Sequence, residues 1–215
     1  MAETSNPETA SREALRVAYR DLERLGLSSG AAGNVSVRFG EGMLISPAGA
    51  TAASVSPASF VATTFDGAPS SPGRPSSEWA MHAEIYRRNA AAQAVVHAHP
   101  DACVALSCQR RAIPAFHYMI ASFGGVDVPC SAYETFGSHE LALAAAAVLQ
   151  ERNACLLANH GMICHARSLA EAMANALKLE VLARQNILAL QIGPPVLLTS
   201  EEMAVVRERY RSYGR

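Results

Sequence analysis

The 215-residue sequence lacks any apolar run approaching the roughly 20 residues that a membrane span requires. It also lacks a basic excess: 18 Lys and Arg stand against 19 Asp and Glu, a net charge of -1, so nothing marks it for nucleic acid. None of its five cysteines (Cys103, Cys108, Cys130, Cys155 and Cys164) is spaced from another as C-x-x-C, and their number is odd. That usage argues against a disulfide framework and for free thiols in a reducing cytoplasm. The first nine residues are polar and acidic with no apolar core, so no secretory signal is expected. Internal repeats and low-complexity segments are absent too. What is left is a chain 50% hydrophobic and 17% charged, suited to one domain over residues 1–215 with a sizeable core.

The most informative stretch is Gln93-Ala94-Val95-Val96-His97-Ala98-His99-Pro100. The apolar run reads as a buried strand, and side chains two apart on a strand share a face. His97 and His99 therefore point the same way, and Pro100 stops the strand. Two imidazoles on one face make half of a metal site. His160, in Ala158-Asn159-His160-Gly161, is the best candidate for the other half because it also follows a short apolar run, Cys155 to Ala158. Three histidines with an open fourth position suit a catalytic zinc, whereas structural zinc sites are usually closed with thiolates. His82, His117, His139 and His165 lack such pairing and read as ordinary core or surface residues. Cys155 and Cys164 read as small core residues.

Taken in order, Asn6-Pro7-Glu8 is a helix start, with a cap residue, proline at the first position and an acidic residue near the dipole. Leu15, Ala18, Leu22 and Leu25 continue it at helical spacing, and Gly26 ends it. Val35 to Phe39 and Met43 to Ser46 form a hairpin, Phe60 to Phe65 a third strand, and Ala68 to Pro75 a loop. A helix opens at Ser76-Ser77-Glu78-Trp79, with a serine as cap, and runs to about Arg88. Asp101 caps a short helix, Ala112 to Gly125 is irregular, and Ser138 starts an alanine-rich helix to about Arg152. Strands Cys155 to Ala158 and Met162 to His165 pair around His160. Ser168-x-x-Glu171 is a capping box for a long helix to about Gln191, and a last helix spans about Glu201 to Arg211. Strands joined mostly as hairpins and mixed with helices give a mixed α/β or α+β single domain.

Glu78 is the carboxylate best placed for chemistry, in the first turn of its helix where the dipole favours its charge by about 0.3–1 kcal/mol. Ser76 and Ser77, with free amides at that helix start, would form an anion pocket. Gly33-Asn34 and Ala48-Gly49 suit close backbone approach by a ligand.

These stretches together resemble the class II aldolase/adducin family. The resemblance is carried by Gly33-Asn34-Val35-Ser36-Val37-Arg38, Leu44-Ile45-Ser46-Pro47-Ala48-Gly49, Pro75-Ser76-Ser77-Glu78-Trp79, Ala94-Val95-Val96-His97-Ala98-His99, Ile113 to Ile120, Thr135-Phe136-Gly137 and Asn159-His160-Gly161. It runs from about Leu25 to the C-terminus. It implies an α/β fold with a central, largely antiparallel sheet, assembled as a homotetramer with active sites between subunits. It implies zinc on His97, His99 and His160, with Glu78 as a further ligand and as acid/base. A phosphate pocket would come from Gly33, Asn34, Ala48, Gly49, Ser76 and Ser77. Tyr118 would reach in from a neighbouring subunit as the second catalytic group, with Phe136 and Tyr213 lining the aldehyde side.

The implied reaction cleaves a ketose 1-phosphate, such as L-fuculose 1-phosphate, into dihydroxyacetone phosphate and an aldehyde, such as L-lactaldehyde. A metal-assisted route needs no Schiff-base lysine, and the sole lysine, Lys178, lies in a predicted helix far from these motifs. The chain departs from the family pattern at Ala31 and Ala48, where threonines are expected beside the phosphate. Each lost neutral hydrogen bond contributes about 0.5–1.5 kcal/mol, so phosphate binding weakens without disappearing. Other readings on the same scaffold are an aldolase for 5-deoxyribulose or 5-methylthioribulose 1-phosphate and a phosphosugar epimerase. A non-enzymatic adducin-type module would have lost the histidines.

Overall fold

The computed structural model describes residues 6–212. Seven strands form one sheet in the order β3-β2-β1-β4-β7-β6-β5. They are β1 (Asn34–Phe39), β2 (Gly42–Ile45), β3 (Val61–Thr64), β4 (Ala94–Ala98), β5 (Cys130–Ser131), β6 (Ala154–Leu157) and β7 (Gly161–Ala166). Every pairing is antiparallel except β5 with β6. The sheet is thus mixed and mostly antiparallel, as expected. Six helices flank it: α1 (Pro7–Arg24), α2 (Trp79–Arg88), α3 (Asp101–Ser107), α4 (His139–Val148), α5 (Leu169–Ile192) and α6 (Ser200–Ser212).

Alternation along the strands divides the core in two. Ala94, Val96, Ala98, Leu156, Met162 and Cys164 pack with α1, α3 and α5, while Val95, Cys155, Leu157 and Ile163 pack with α2 and α4. Cys155 and Cys164 are thus core residues on opposite faces, and all five cysteines are free. Val95 and Val96 are fully buried, as a central strand covered on both faces requires. Burying each such side chain stabilises the fold by about 1.5–3 kcal/mol.

Helix starts follow the sequence with two exceptions: at α3 the cap position is Pro100 rather than Asp101, which is the first helical residue, and α2 is the other. Asn6 accepts from the Glu8 amide, Ser138 from Leu141 and Ser168 from Glu171. At α2 the cap position belongs to Glu78, not to a serine, and Glu78 does not lie inside the first turn. Ser76 instead satisfies the amides of the cap and of the first helical residue: its hydroxyl accepts from Glu78 N–H at 3.3 Å and its carbonyl from Trp79 N–H at 3.1 Å. The Glu78 side chain, relieved of capping, turns inward. Helix α4 ends at Val148, short of the expected Arg152. The irregular stretch contains a 3-10 helix, Tyr118–Phe123, held by His117, whose Nδ1 accepts from the Met119 amide.

Candidate active site

Strand register brings the distant residues together. His97, on β4, lies opposite Asn34 on β1 and Ile163 on β7. His99 follows one residue beyond the strand, on the same face, and its ring centroid is 4.5 Å from that of His97. His160 sits in the three-residue turn between β6 and β7, with its ring centroid 4.8 Å from His97 and 5.0 Å from His99. Asn159 adopts the left-handed conformation (φ 54°) that such a turn requires. Gly161 completes it, since a Cβ there would lie 2.5 Å from Ala98 O and 2.7 Å from a ring carbon of His99. The three imidazoles offer ligand atoms all within 4.8 Å of one another.

Glu78 closes the fourth side. Its Oε2 lies 3.1 Å from His97 Nε2 and its Oε1 3.4 Å from His160 Nε2. His97 Nδ1 meets the Met162 carbonyl at 2.8 Å and must donate to it, so in the neutral ring Nε2 is a lone pair. A lone pair facing a carboxylate calls for a cation between them. His97 Nε2, His99 Nε2 and Glu78 Oε1 are all buried without hydrogen-bond partners, which is the signature of ligands converging on an ion. These residues fit a divalent metal.

The electrostatics agree. Burial raises the Glu78 carboxyl, but His97, His160 and Asn34 outweigh it and hold the pKa well below the ordinary carboxylate range. Burial, then the neighbouring imidazoles, lower His99 to about 3. Burial, then His97, lower His160 to about 4 against the pull of Glu78. Both rings are therefore neutral near pH 7, as metal ligation demands. Burial opposes protonation of His97 as well, but Glu78 and the Met162 carbonyl raise it overall.

Above these groups opens a cleft of about 510 Å³, lined by Gly33, Asn34, Ala48, Gly49, Ser76, Ser77, Glu78, His99, Phe136 and His160. Most residues expected at the site are thus gathered in one place. Gly33 is required there: its φ is +81°, and a Cβ would lie 2.4 Å from Ser28 Oγ. One expectation changes. The Glu78 and Trp79 amides are taken by Ser76, so they are not free for an anion. Tyr118 is half-exposed and faces a separate hollow with Val205, Val206 and Arg209, away from the cleft of its own chain. Tyr213 lies outside the described residues.

Sequence reasoning missed four residues. Arg74 lines the cleft, though its stretch reads only as a loop. Tyr133 also lines it, beneath the Arg110 guanidinium, whose carbon is 5.3 Å from the ring centroid; Arg110 Nε donates to Asn159 Oδ1 at 2.6 Å. The fourth is His82, read as ordinary, whose fully buried ring lies 2.5 Å from Asn34 Oδ1. Its position one turn after Glu78 was the available signal.

A family model, the class II aldolase and adducin N-terminal domain, matches residues 13–187. The chain is 44% identical over 205 residues to a 5-methylthioribulose-1-phosphate/5-deoxyribulose-1-phosphate aldolase of Rhodospirillum rubrum, covering 95% of this chain and 93% of that protein. It is 43% identical over 195 residues to the L-fuculose phosphate aldolase of Escherichia coli, covering 90% and 91%. A solved L-fuculose 1-phosphate aldolase superposes with a TM-score of 0.91 at 34% identity, covering 98% of each chain. With the fold, the histidine cluster and these likenesses in agreement, the chain belongs to the class II aldolase/adducin family and is a class II aldolase of the fuculose-phosphate and methylthioribulose-phosphate type.

Proposed function

We propose that the protein cleaves L-fuculose 1-phosphate, or a ketose 1-phosphate close to it, reversibly into dihydroxyacetone phosphate and L-lactaldehyde or a similar aldehyde. The observation that carries this reading is the meeting of Glu78 with three imidazoles at the floor of a cleft of about 510 Å³. His97, His99 and His160 would hold zinc, with Glu78 as a further ligand before substrate enters. When bound, the metal supplies Lewis-acid stabilisation of the negative charge that develops as the C–C bond breaks.

The chain's own groups manage the protons. In cleavage, Tyr118 of a neighbouring subunit takes the proton from the hydroxyl whose carbon becomes the aldehyde. The electron pair of the broken bond remains on the dihydroxyacetone phosphate half as an enediolate; Glu78, which takes up a solvent proton as substrate displaces it, delivers that proton to the enediolate carbon, and Tyr118 returns its own to solvent. In synthesis Glu78 is the base that removes the same proton. Gly33, Asn34, Ala48, Gly49, Ser76 and Ser77 take the phosphate, with Phe136 and Tyr213 on the aldehyde side. The outward position of Tyr118 supports a homotetramer with its sites between subunits. The free thiols suit a cytoplasmic enzyme.

A second reading is cleavage of 5-deoxyribulose or 5-methylthioribulose 1-phosphate. It is favoured by the aromatic lip of Phe136 and Tyr133, which suits any aldehyde ending in an apolar group. The deciding experiment incubates the zinc-loaded protein with dihydroxyacetone phosphate and L-lactaldehyde, acetaldehyde or glycolaldehyde in turn. Condensation to a ketose 1-phosphate is expected, fastest with L-lactaldehyde. A higher kcat/KM for acetaldehyde favours the second reading, and no product with any aldehyde rejects both.

A further inference from the structure

Behind the cleft, four buried side chains form an unbroken line from the α2 layer to Glu78. Tyr86 Oη lies 2.8 Å from Ser36 Oγ, which lies 2.7 Å from His82 Nδ1. His82 Nε2 lies 2.5 Å from Asn34 Oδ1, and Asn34 Nδ2 donates to Glu78 Oε2 at 3.0 Å. Asn34 and Ser36 are two apart on β1 and so share the face that receives α2, where His82 and Tyr86 are four apart on one side of the helix. Ser36, His82 and Tyr86 are all essentially inaccessible to solvent.

Chemistry at one end fixes the direction of every bond. The Glu78 carboxylate only accepts, so Asn34 must present its NH₂ to it and its Oδ1 to His82. His82 Nε2 must then carry a hydrogen. In the neutral ring Nδ1 is left as an acceptor, satisfied by the Ser36 hydroxyl, and Ser36 accepts in turn from Tyr86. Any reversal would set an amide oxygen against a carboxylate.

We propose that His82 is a positioning residue for this aldolase. Held as the Nε2–H tautomer by Ser36 and Tyr86, it locks the Asn34 amide in the one orientation that donates to Glu78. Asn34 is thereby fixed toward both the carboxylate and the phosphate pocket. Without His82 the amide is free to rotate, and Glu78 loses the donor that aims it at the enediolate carbon. This role rests on the proton-transfer function proposed above for Glu78.

The test compares His82→Gln with His82→Asn. Glutamine places its amide nitrogen about where Nε2 stands and keeps the donor to Asn34; asparagine reaches only about as far as Nδ1. In the zinc-loaded enzyme, His82→Gln should retain kcat and solvent-proton exchange at dihydroxyacetone phosphate within about fivefold. His82→Asn and His82→Leu should lose about 100-fold in both, with KM changed less than about threefold. Ser36→Ala should lose about tenfold. Nitrogen-15 NMR of metal-free, histidine-labelled protein reads the tautomer without any turnover and is expected to find Nε2–H on His82. Equal activities for the Gln and Asn variants, or an Nδ1–H tautomer, would overturn the proposal even if the Leu variant fails to fold. Should Glu78→Gln retain exchange, the role of Glu78 fails; should Glu78→Gln lose it while no His82 variant does, only the positioning role fails.

Discussion

The two ends of the cleft are built differently. The floor is built on strands and their ends: His97 and Asn34 lie in register on neighbouring strands, fully or almost fully buried, and the hydrogen bonds of His97 Nδ1 and of the Asn34 amide dictate their orientation. The lip comes from loops: Phe136 is 70% exposed, Tyr133 51%, and Arg74 and Ser77 are exposed as well. The floor stabilises charge, which needs preorganised dipoles and ligands in a dry setting. The lip reads an aldehyde that differs between substrates, and loops on a rigid scaffold are where such adaptation occurs. Chemistry and specificity are thereby separable in this molecule.

The sharpest way to break that separation is to attack the floor. His97→Ala should abolish cleavage, with at least a 1000-fold loss and no bound zinc by elemental analysis; measurable turnover would mean that the imidazole cluster is not the reaction centre. Glu78→Gln should remove proton exchange at dihydroxyacetone phosphate by a comparable factor while the oligomer stays folded. Removing metal with a chelator should likewise silence the enzyme, and zinc should restore it.

A smaller but distinct effect is expected at Gly161, where a methyl group meets the Ala98 carbonyl and the His99 ring. Gly161→Ala should displace His99 or the turn and weaken zinc by about tenfold in a competition titration, with the melting temperature lowered only a few degrees.

Acid should also act on the floor first. Burial lowers His82 to about 3, His99 to about 3 and His160 to about 4, against about 6.5 for an unperturbed histidine. The unfolded chain therefore binds protons below pH 6.5 that the native state refuses, so stability is fully present above that pH and falls toward pH 4. His97, raised by Glu78, works in the opposite sense, but it is one group against three. Thermal melts of the metal-free protein should drop steadily from pH 7 to 4.5; a flat profile would contradict the neutral burial of these rings.

At the lip, effects should be modest and fall on KM. Phe136→Ala should raise KM for the aldehyde several-fold with kcat almost unchanged, and an equal loss in kcat would move Phe136 into the chemistry. Smallest of all, Ala48→Thr should restore a hydroxyl beside the phosphate and lower KM for dihydroxyacetone phosphate about two- to tenfold, since one neutral hydrogen bond contributes about 0.5–1.5 kcal/mol.

The sequence by itself determined the order of the helices and of every strand but the two-residue β5, the hairpins, most helix caps and the three imidazoles, because period-two alternation and capping chemistry are local properties of the chain. It misjudged the entry to α2, because serine is a good cap anywhere, whereas only the sheet below decides that Glu78 turns inward. Glu180, in the middle of α5, looks like a helix-surface carboxylate. In the fold it is buried and accepts from the amides of Ala102 and Cys103, capping α3 just beyond His99. His82 is set apart in sequence only by its spacing of four from Glu78, which says nothing of its partners. Its partners lie 46 and 48 residues away, and only the packing of α2 on β1 brings them within reach. Side-chain hydrogen bonds across such distances exist only once burial has removed competing water, and that is a decision the tertiary structure alone makes.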